Sequence, residues 1–294
     1  MKLVTFLHNE QTQIGAIIDQ SVVAANGKIE NAENMLAFLA AGADALCAMQ
    51  KLLDSGSNRL PLSAVKLLAP IPRPGKFLGL GLNYSDHIKE TGREKPEYPT
   101  FFTKLSTCVI GVNAAIHCPK ISDKVDYEGE LAFVIGKRCR NVTLDQAHTV
   151  IAGYTICNDV TVRDWQQRTP TWTLGKSFDT HGPLGPWLVT ADEIADPHQL
   201  QLKTWVDDEL RQNANTNEML FNCYEMVAYL SQVMTLEPGD VISTGTPSGV
   251  GVKMTPRGYL KPGQTVRIEI EGIGMLSNPV IAEPEGFVVA AAVI

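Results

Sequence analysis

Glu128-Gly129-Glu130-Leu131-Ala132-Phe133-Val134-Ile135 sets two carboxylates one residue apart at the mouth of an unbroken apolar run. Residues i and i+2 of a strand share a face, so the run predicts a strand that holds the two glutamates side by side. A continuous apolar strand is usually buried on both faces, which carries the pair into the protein. Two carboxylates about 4 Å apart repel by roughly 4 kcal/mol at an effective dielectric near 20. A shared proton, a basic side chain or a divalent cation has to neutralise them. Two solvated glutamates on a surface strand are the plainer alternative.

Outward from this strand, 294 residues suffice for one large domain or a large one with a small companion. With 44% hydrophobic and 19% charged residues the composition is that of an ordinary soluble globular protein. A formal net charge of -7 argues against nucleic acid or a membrane surface as partner. Cys47, Cys108, Cys118, Cys139, Cys157 and Cys223 show neither C-x-x-C nor zinc-ligand spacing, which fits a reducing cytoplasm. The first apolar stretch is too short for a signal peptide, and no run approaches the ~20 apolar residues expected of a membrane helix.

Strands are expected over residues 3–7 and 14–18, followed by an Ala- and Leu-rich helix over 32–53 that ends at Ser55-Gly56-Ser57. Three prolines and a glycine in 69–75 make an extended connector. It separates a small α+β N-terminal domain (1–70) from a larger, mainly β domain (75–294). Strands follow at 77–82, 130–135, 151–157, 200–206, 240–244 and 265–271. Asp207-Asp208 is read as a hairpin turn, and a helix at 223–234 is expected to bury Met226, Val227, Leu230 and Val233.

The third acid, Asp159, ends the 151–157 strand and precedes a helical-looking stretch, where an N-cap is the plain reading. Beside Glu128 and Glu130 it completes an all-oxygen set without His or Cys. Such a set suits a hard cation, Mg²⁺ or Mn²⁺, with Ca²⁺ as a substitute. His87 and Glu90 are one helical turn apart, so the carboxylate can fix the imidazole tautomer and leave a general base able to deprotonate water. Residues 91–99, charged and rich in Gly and Pro, read as a mobile lid. Gly175-Lys176-Ser177 is not a phosphate loop, because Pro170 stands where that motif needs glycine. Lys176 is then either a surface residue or a buried cation paired with the acids, and Gly182 onward reads as a Gly/Pro-rich turn. The 244–251 loop can hold an anion or be a plain turn. Gly79-Leu80-Gly81 lacks the third glycine of a dinucleotide motif.

The blocks G-L-N-Y-S-D-H-I-K-E, Y-E-G-E-L-A-F-V-I-G-K, G-Y-T-I-C-N-D-V-T-V-R-D-W-Q, G-K-S-F-D-T-H-G-P-L-G-P-W and P-G-D-V-I-S-T-G-T-P-S-G-V-G occur in this order over 79–251. Together they resemble the fumarylacetoacetate hydrolase superfamily. The resemblance implies an α+β fold, a mixed β-roll with a small N-terminal domain, and a homodimer. It implies that Glu128, Glu130 and Asp159 bind Mg²⁺ or Mn²⁺. It also implies that His87 and Glu90 activate water on a lid that orders with substrate, that Lys176 stabilises enolate or oxyanion charge, and that Gln166 and Thr246 position the substrate. The H-x-x-E spacing looks like that of the shorter acylpyruvase and sugar-acid hydrolase members.

On that basis the expected activity is metal-dependent hydrolysis of a carbon–carbon bond in a 2,4-dioxo acid, an acylpyruvate or diketo-deoxy sugar acid, through a metal-bound enolate. The alternative is an isomerase or tautomerase of 2-hydroxydienoates, or an oxaloacetate decarboxylase, on the same site. The pocket for the substrate tail is expected between 91–99 and 167–172.

Overall fold

A computed structural model describes residues 1–30 and 32–285. Position 31 and residues 286–294, the end of the expected catalytic domain, lie outside the described residues. Every strand expected from the sequence is present, the second starting three residues early at Gln11 and the others matching within a residue or two. The strand Gly129–Ile135 is buried along its whole length, as its continuous apolar run requires. It pairs antiparallel with Ile151–Asn158 on one side and Val241–Ser243 on the other. Phe77–Gly81 lies parallel to Val241–Ser243, and Thr100–Thr103 closes that edge. These strands belong to a 12-stranded sheet whose other half carries the N-terminal meander Lys2–His8, Gln11–Ile18 and Ser21–Ala24. A second, five-stranded sheet contains Gln201–Val206, Glu209–Asn215, Thr265–Ile270, Gly274–Ala282 and Ile116–Cys118. Its inward Val266, Ile268 and Ile270 pack with Leu131 and Phe133 of the first sheet in one core. Among the described residues, mixed sheets with few helices and no closed barrel make this an α+β fold.

Three expectations need correction. Residues 182–190 form a nine-residue strand, not a turn, between Lys2–His8 and Ile151–Asn158. Pro183 and Pro186 cannot donate to the ladder, and the pairing slips in register between Tyr154 and Ile156, so the strand lacks the usual signature. Val233 is 68% exposed, because the stripe of helix Cys223–Val233 runs through Cys223, Met226, Val227, Leu230 and Ser231. Finally, helix Met35–Ser55 is long and apolar enough to span a membrane. Here it kinks at Gly42, and Met35, Phe38, Leu39 and Met49 pack with Leu3, Ile14 and Val134. Its first residue is 35 because the Asn34 side chain accepts from Ala37 N and caps it there.

Lys2 and Leu3 pair with Val189 and Leu188, so the first strand continues the main sheet, and one core cluster joins residues from both sides of the 69–75 connector. A division at that connector is therefore a proposal about folding units within a shared sheet.

Candidate active site

Antiparallel pairing brings the C-terminal end of Ile151–Asn158, the N-terminal end of Gly129–Ile135 and the C-terminal end of Val241–Ser243 to one edge of the sheet. Gly129 faces Asn158, and Asp159 N donates to Glu128 O at 2.9 Å, which sets Asp159 against the glutamate pair. Asp159 caps no helix; the chain forms another short strand, Thr161–Val162, before the turn of helix Arg163–Gln166. Two glycines permit the approach. A Cβ on Gly129 would lie 2.2 Å from Thr204 Oγ1 of the second sheet, and one on Gly175 would lie 2.2 Å from Gln166 N. The second contact lets helix Thr173–Lys176 rest on Arg163–Gln166 and carries Lys176 to the acids.

Glu128, Glu130 and Asp159 are all buried, and one oxygen from each lies within 4.8 Å of the others. Each carboxylate has one oxygen held from outside. Arg163 Nη1 lies 2.7 Å from Glu128 Oε1, and Lys104 Nζ donates to Asp159 Oδ1 at 2.7 Å. Ser243 Oγ and Gly245 N both donate to Glu130 Oε2, the latter at 3.0 Å. The other oxygens of Glu128 and Asp159 meet Lys176 Nζ, at 2.6 Å from Glu128 Oε2 and 2.5 Å from Asp159 Oδ2. Three clustered carboxylates with no His or Cys among them suit a hard divalent cation, which Glu128, Glu130 and Asp159 would hold. Burial pushes the Glu128 carboxyl up, but Lys176 and Arg163 outweigh it and hold it well below the usual range. Glu130 moves the other way, raised by burial and by the charges of Asp159 and Glu128.

His87 and Glu90 lie on helix Ser85–Thr91, which follows Phe77–Gly81 at the same edge. His87 Nδ1 is 3.3 Å from Glu90 Oε2, and Gly249 N donates to Glu90 Oε1 at 3.1 Å. The helix reaches this edge through Asn83, whose Oδ1 accepts from Phe221 N at 2.8 Å and whose Nδ2 donates to Phe221 O and Thr244 O. Its end is set by Gly92 in the left-handed region.

His87, Glu128, Glu130, Lys176, Gln166 and Thr246 line one cavity of about 260 Å³. Gln166 Oε1 accepts from Arg163 Nη1 at 3.1 Å, and its neighbour Gln167 lines the cavity too. Thr246 Oγ1 donates to Gly129 O at 3.0 Å and accepts from Gln212 at 2.8 Å. Three participants went unnoticed in the sequence. Arg163 stands in a quoted block and could have been weighed as a partner for the acids. Lys104, 1% exposed, follows an unremarkable strand and had no signal. Asp126 holds Arg163 Nε at 2.8 Å and accepts from Gly251 N and Val252 N, tying the 249–253 loop to the site.

The model of the fumarylacetoacetate hydrolase C-terminal region matches residues 76–281. The chain is 45% identical over 249 residues to the mitochondrial oxaloacetate tautomerase fahd2 of Xenopus laevis, covering 84% of this chain and 78% of that one. Maleylpyruvate hydrolase of Sphingobium sp. SYK-6, solved with manganese(II) and pyruvate, superposes with a TM-score of 0.81 at 32% identity, over 97% of this chain and 100% of the other. The 2-hydroxyhepta-2,4-diene-1,7-dioate isomerase of Mycobacterium marinum gives a TM-score of 0.78 at 36% identity, with the same coverage. Hydrolases, isomerases and tautomerases thus share this fold. The chain belongs to the fumarylacetoacetate hydrolase family.

Proposed function

We propose that the protein moves a proton at the carbon beside the carbonyl of a small 2-oxo acid, interconverting its enol and keto forms. The observation that carries this reading is one cavity of about 260 Å³ lined by His87, Lys176, Glu128 and Glu130, with Glu90 bonded to His87 and Asp159 to Lys176. That volume lies at the small end for ligand sites and favours a compact acid. The likeness to oxaloacetate tautomerases supports the same reaction and makes oxaloacetate the first substrate to test. Glu128, Glu130 and Asp159 would hold Mg²⁺ or Mn²⁺, with Ca²⁺ as a substitute, and the cation would supply Lewis-acid stabilisation to the 2-oxo oxygen. Glu90 takes the Nδ1 proton of His87 as a hydrogen bond, which leaves Nε2 as the base. Nε2 removes a proton from C3 in the keto form and returns it to the oxygen; ketonisation runs the transfers in reverse. The Lys176 ammonium steadies the oxygen's developing charge, and Gln166 and Thr246 orient the acid.

Carbon–carbon hydrolysis of a 2,4-dioxo acid is the second reading, supported by the likeness to maleylpyruvate hydrolase. It uses the same groups, with His87 deprotonating a water that attacks C4. Ultraviolet loss of enol-oxaloacetate, with products weighed by mass spectrometry, separates the two. Metal-loaded protein is expected to speed ketonisation without fragmenting the acid, and His87→Ala to slow it by about 10²–10⁴-fold. Two fragments from a 2,4-dioxo acid, with no effect on the enol, would replace the first reading by the second.

A further inference from the structure

The charges of this cavity do not balance from floor to mouth. On the floor, Lys104, Arg163 and Lys176 are each ion-paired with Asp126, Glu128 or Asp159. At the mouth, Arg93, Lys253 and Arg257 line the same cavity, and none makes an ion pair among the described residues. Arg93 lies 5.5 Å over the Trp172 ring, and Lys253 Nζ donates to a carbonyl, Thr91 O, at 3.3 Å. Glu128 and Glu130 are the cavity's only lining carboxylates, and both belong to the floor. Three unpaired cations thus ring the entrance of a chain whose net charge is -7. They come from two segments, one just after helix Ser85–Thr91 and one at 253–257, that meet where Lys253 bonds Thr91 O. Self-repulsion disfavours such a ring unless an anion is bound there.

We propose that Arg93, Lys253 and Arg257 receive a second carboxylate, at the far end of the substrate, and so select dicarboxylic 2-oxo acids over monocarboxylic ones. This rests on the reading of the cavity as a 2-oxo acid site. The first carboxylate and the carbonyl go to the floor, and the small cavity brings the other end of a four- or five-carbon acid to the mouth. Arginine offers the paired donors that suit a carboxylate, and Lys253 adds a point charge.

Oxaloacetate and 2,4-dioxopentanoate test this directly, because they differ by one charged oxygen in place of a methyl group. The expected ratio of kcat/KM favours oxaloacetate by at least about tenfold in the native protein. In Lys253→Gln/Arg257→Gln the ratio should fall about tenfold, through a higher KM for oxaloacetate with kcat little changed. A ratio unmoved by the double substitution overturns the proposal. If neither acid is turned over, the reaction reading fails and binding decides the inference separately. Calorimetry should then show tighter binding of oxaloacetate than of 2,4-dioxopentanoate, lost in the double variant. Equal binding overturns it.

Discussion

Lys104 shows how much one buried residue can carry without a mark in the sequence. Its ammonium meets Asp159 Oδ1 and donates to the carbonyl oxygen of Lys176, so it braces an acid and the cation beside it together. Burial pulls its pKa down, and the charge of Asp159 more than reverses this, leaving it above the ordinary value. Removing one member of a buried pair strands the other, which costs about 3–5 kcal/mol. Lys104→Met is therefore expected to lower the free energy of unfolding by about that much, read from urea titrations. Equal stability of native protein and Lys104→Met would remove Lys104 from this account.

Among the elements, helix Ser85–Thr91 depends on its surroundings. Seven residues are too few for a helix to be stable alone, and Tyr84 gives it no side-chain cap. Asn83 supplies the anchorage by bonding both polar groups of Phe221 and the carbonyl of Thr244. Asn83→Ala leaves buried groups unpaired at about 1–3 kcal/mol. The expected result is a lower Tm together with reduced turnover, as His87 loses its placement; a lower Tm with unaltered turnover would contradict that role. The His87–Glu90 pair was legible because the two stand three apart, whereas Asn83 could not be distinguished from an ordinary turn residue. The same contrast runs through the sheet. Gly129–Ile135 and Thr265–Ile270 announce themselves by apolar continuity or alternation. Gly182–Thr190 hides behind two prolines, since its place is set by neighbours distant in sequence rather than by its own residues. For the site, the carboxylates were readable from spacing, but their cationic partner Lys104 required the fold.

At the scale of the whole molecule, acid is the condition that exposes the buried groups. His181, almost fully buried, bonds through Nε2 to His117 O at 2.8 Å, and burial pushes its pKa from 6.5 down to about 3. Between those values the unfolded chain binds a proton that the native one refuses, so this contribution is complete above pH 6.5 and is lost as the pH falls towards 3. His198, lowered by burial, acts in the same direction. Relative to His181→Gln, the native protein's unfolding free energy from urea titrations should fall between pH 7 and pH 5, by up to about 1.4 kcal/mol per pH unit. An equal slope in the two proteins would show that the ring is not held neutral. The floor of the cavity raises a larger question, because the whole arrangement converges on three clustered carboxylates. Calorimetric titration of Mn²⁺ into metal-stripped protein tests it most directly, with Glu130→Gln and His87→Ala beside the native chain. The account predicts one ion per chain, bound at least about tenfold more weakly by Glu130→Gln and nearly as well by His87→Ala. No binding to the native protein, or equal affinity in Glu130→Gln, would contradict the assignment of these carboxylates as a cation site.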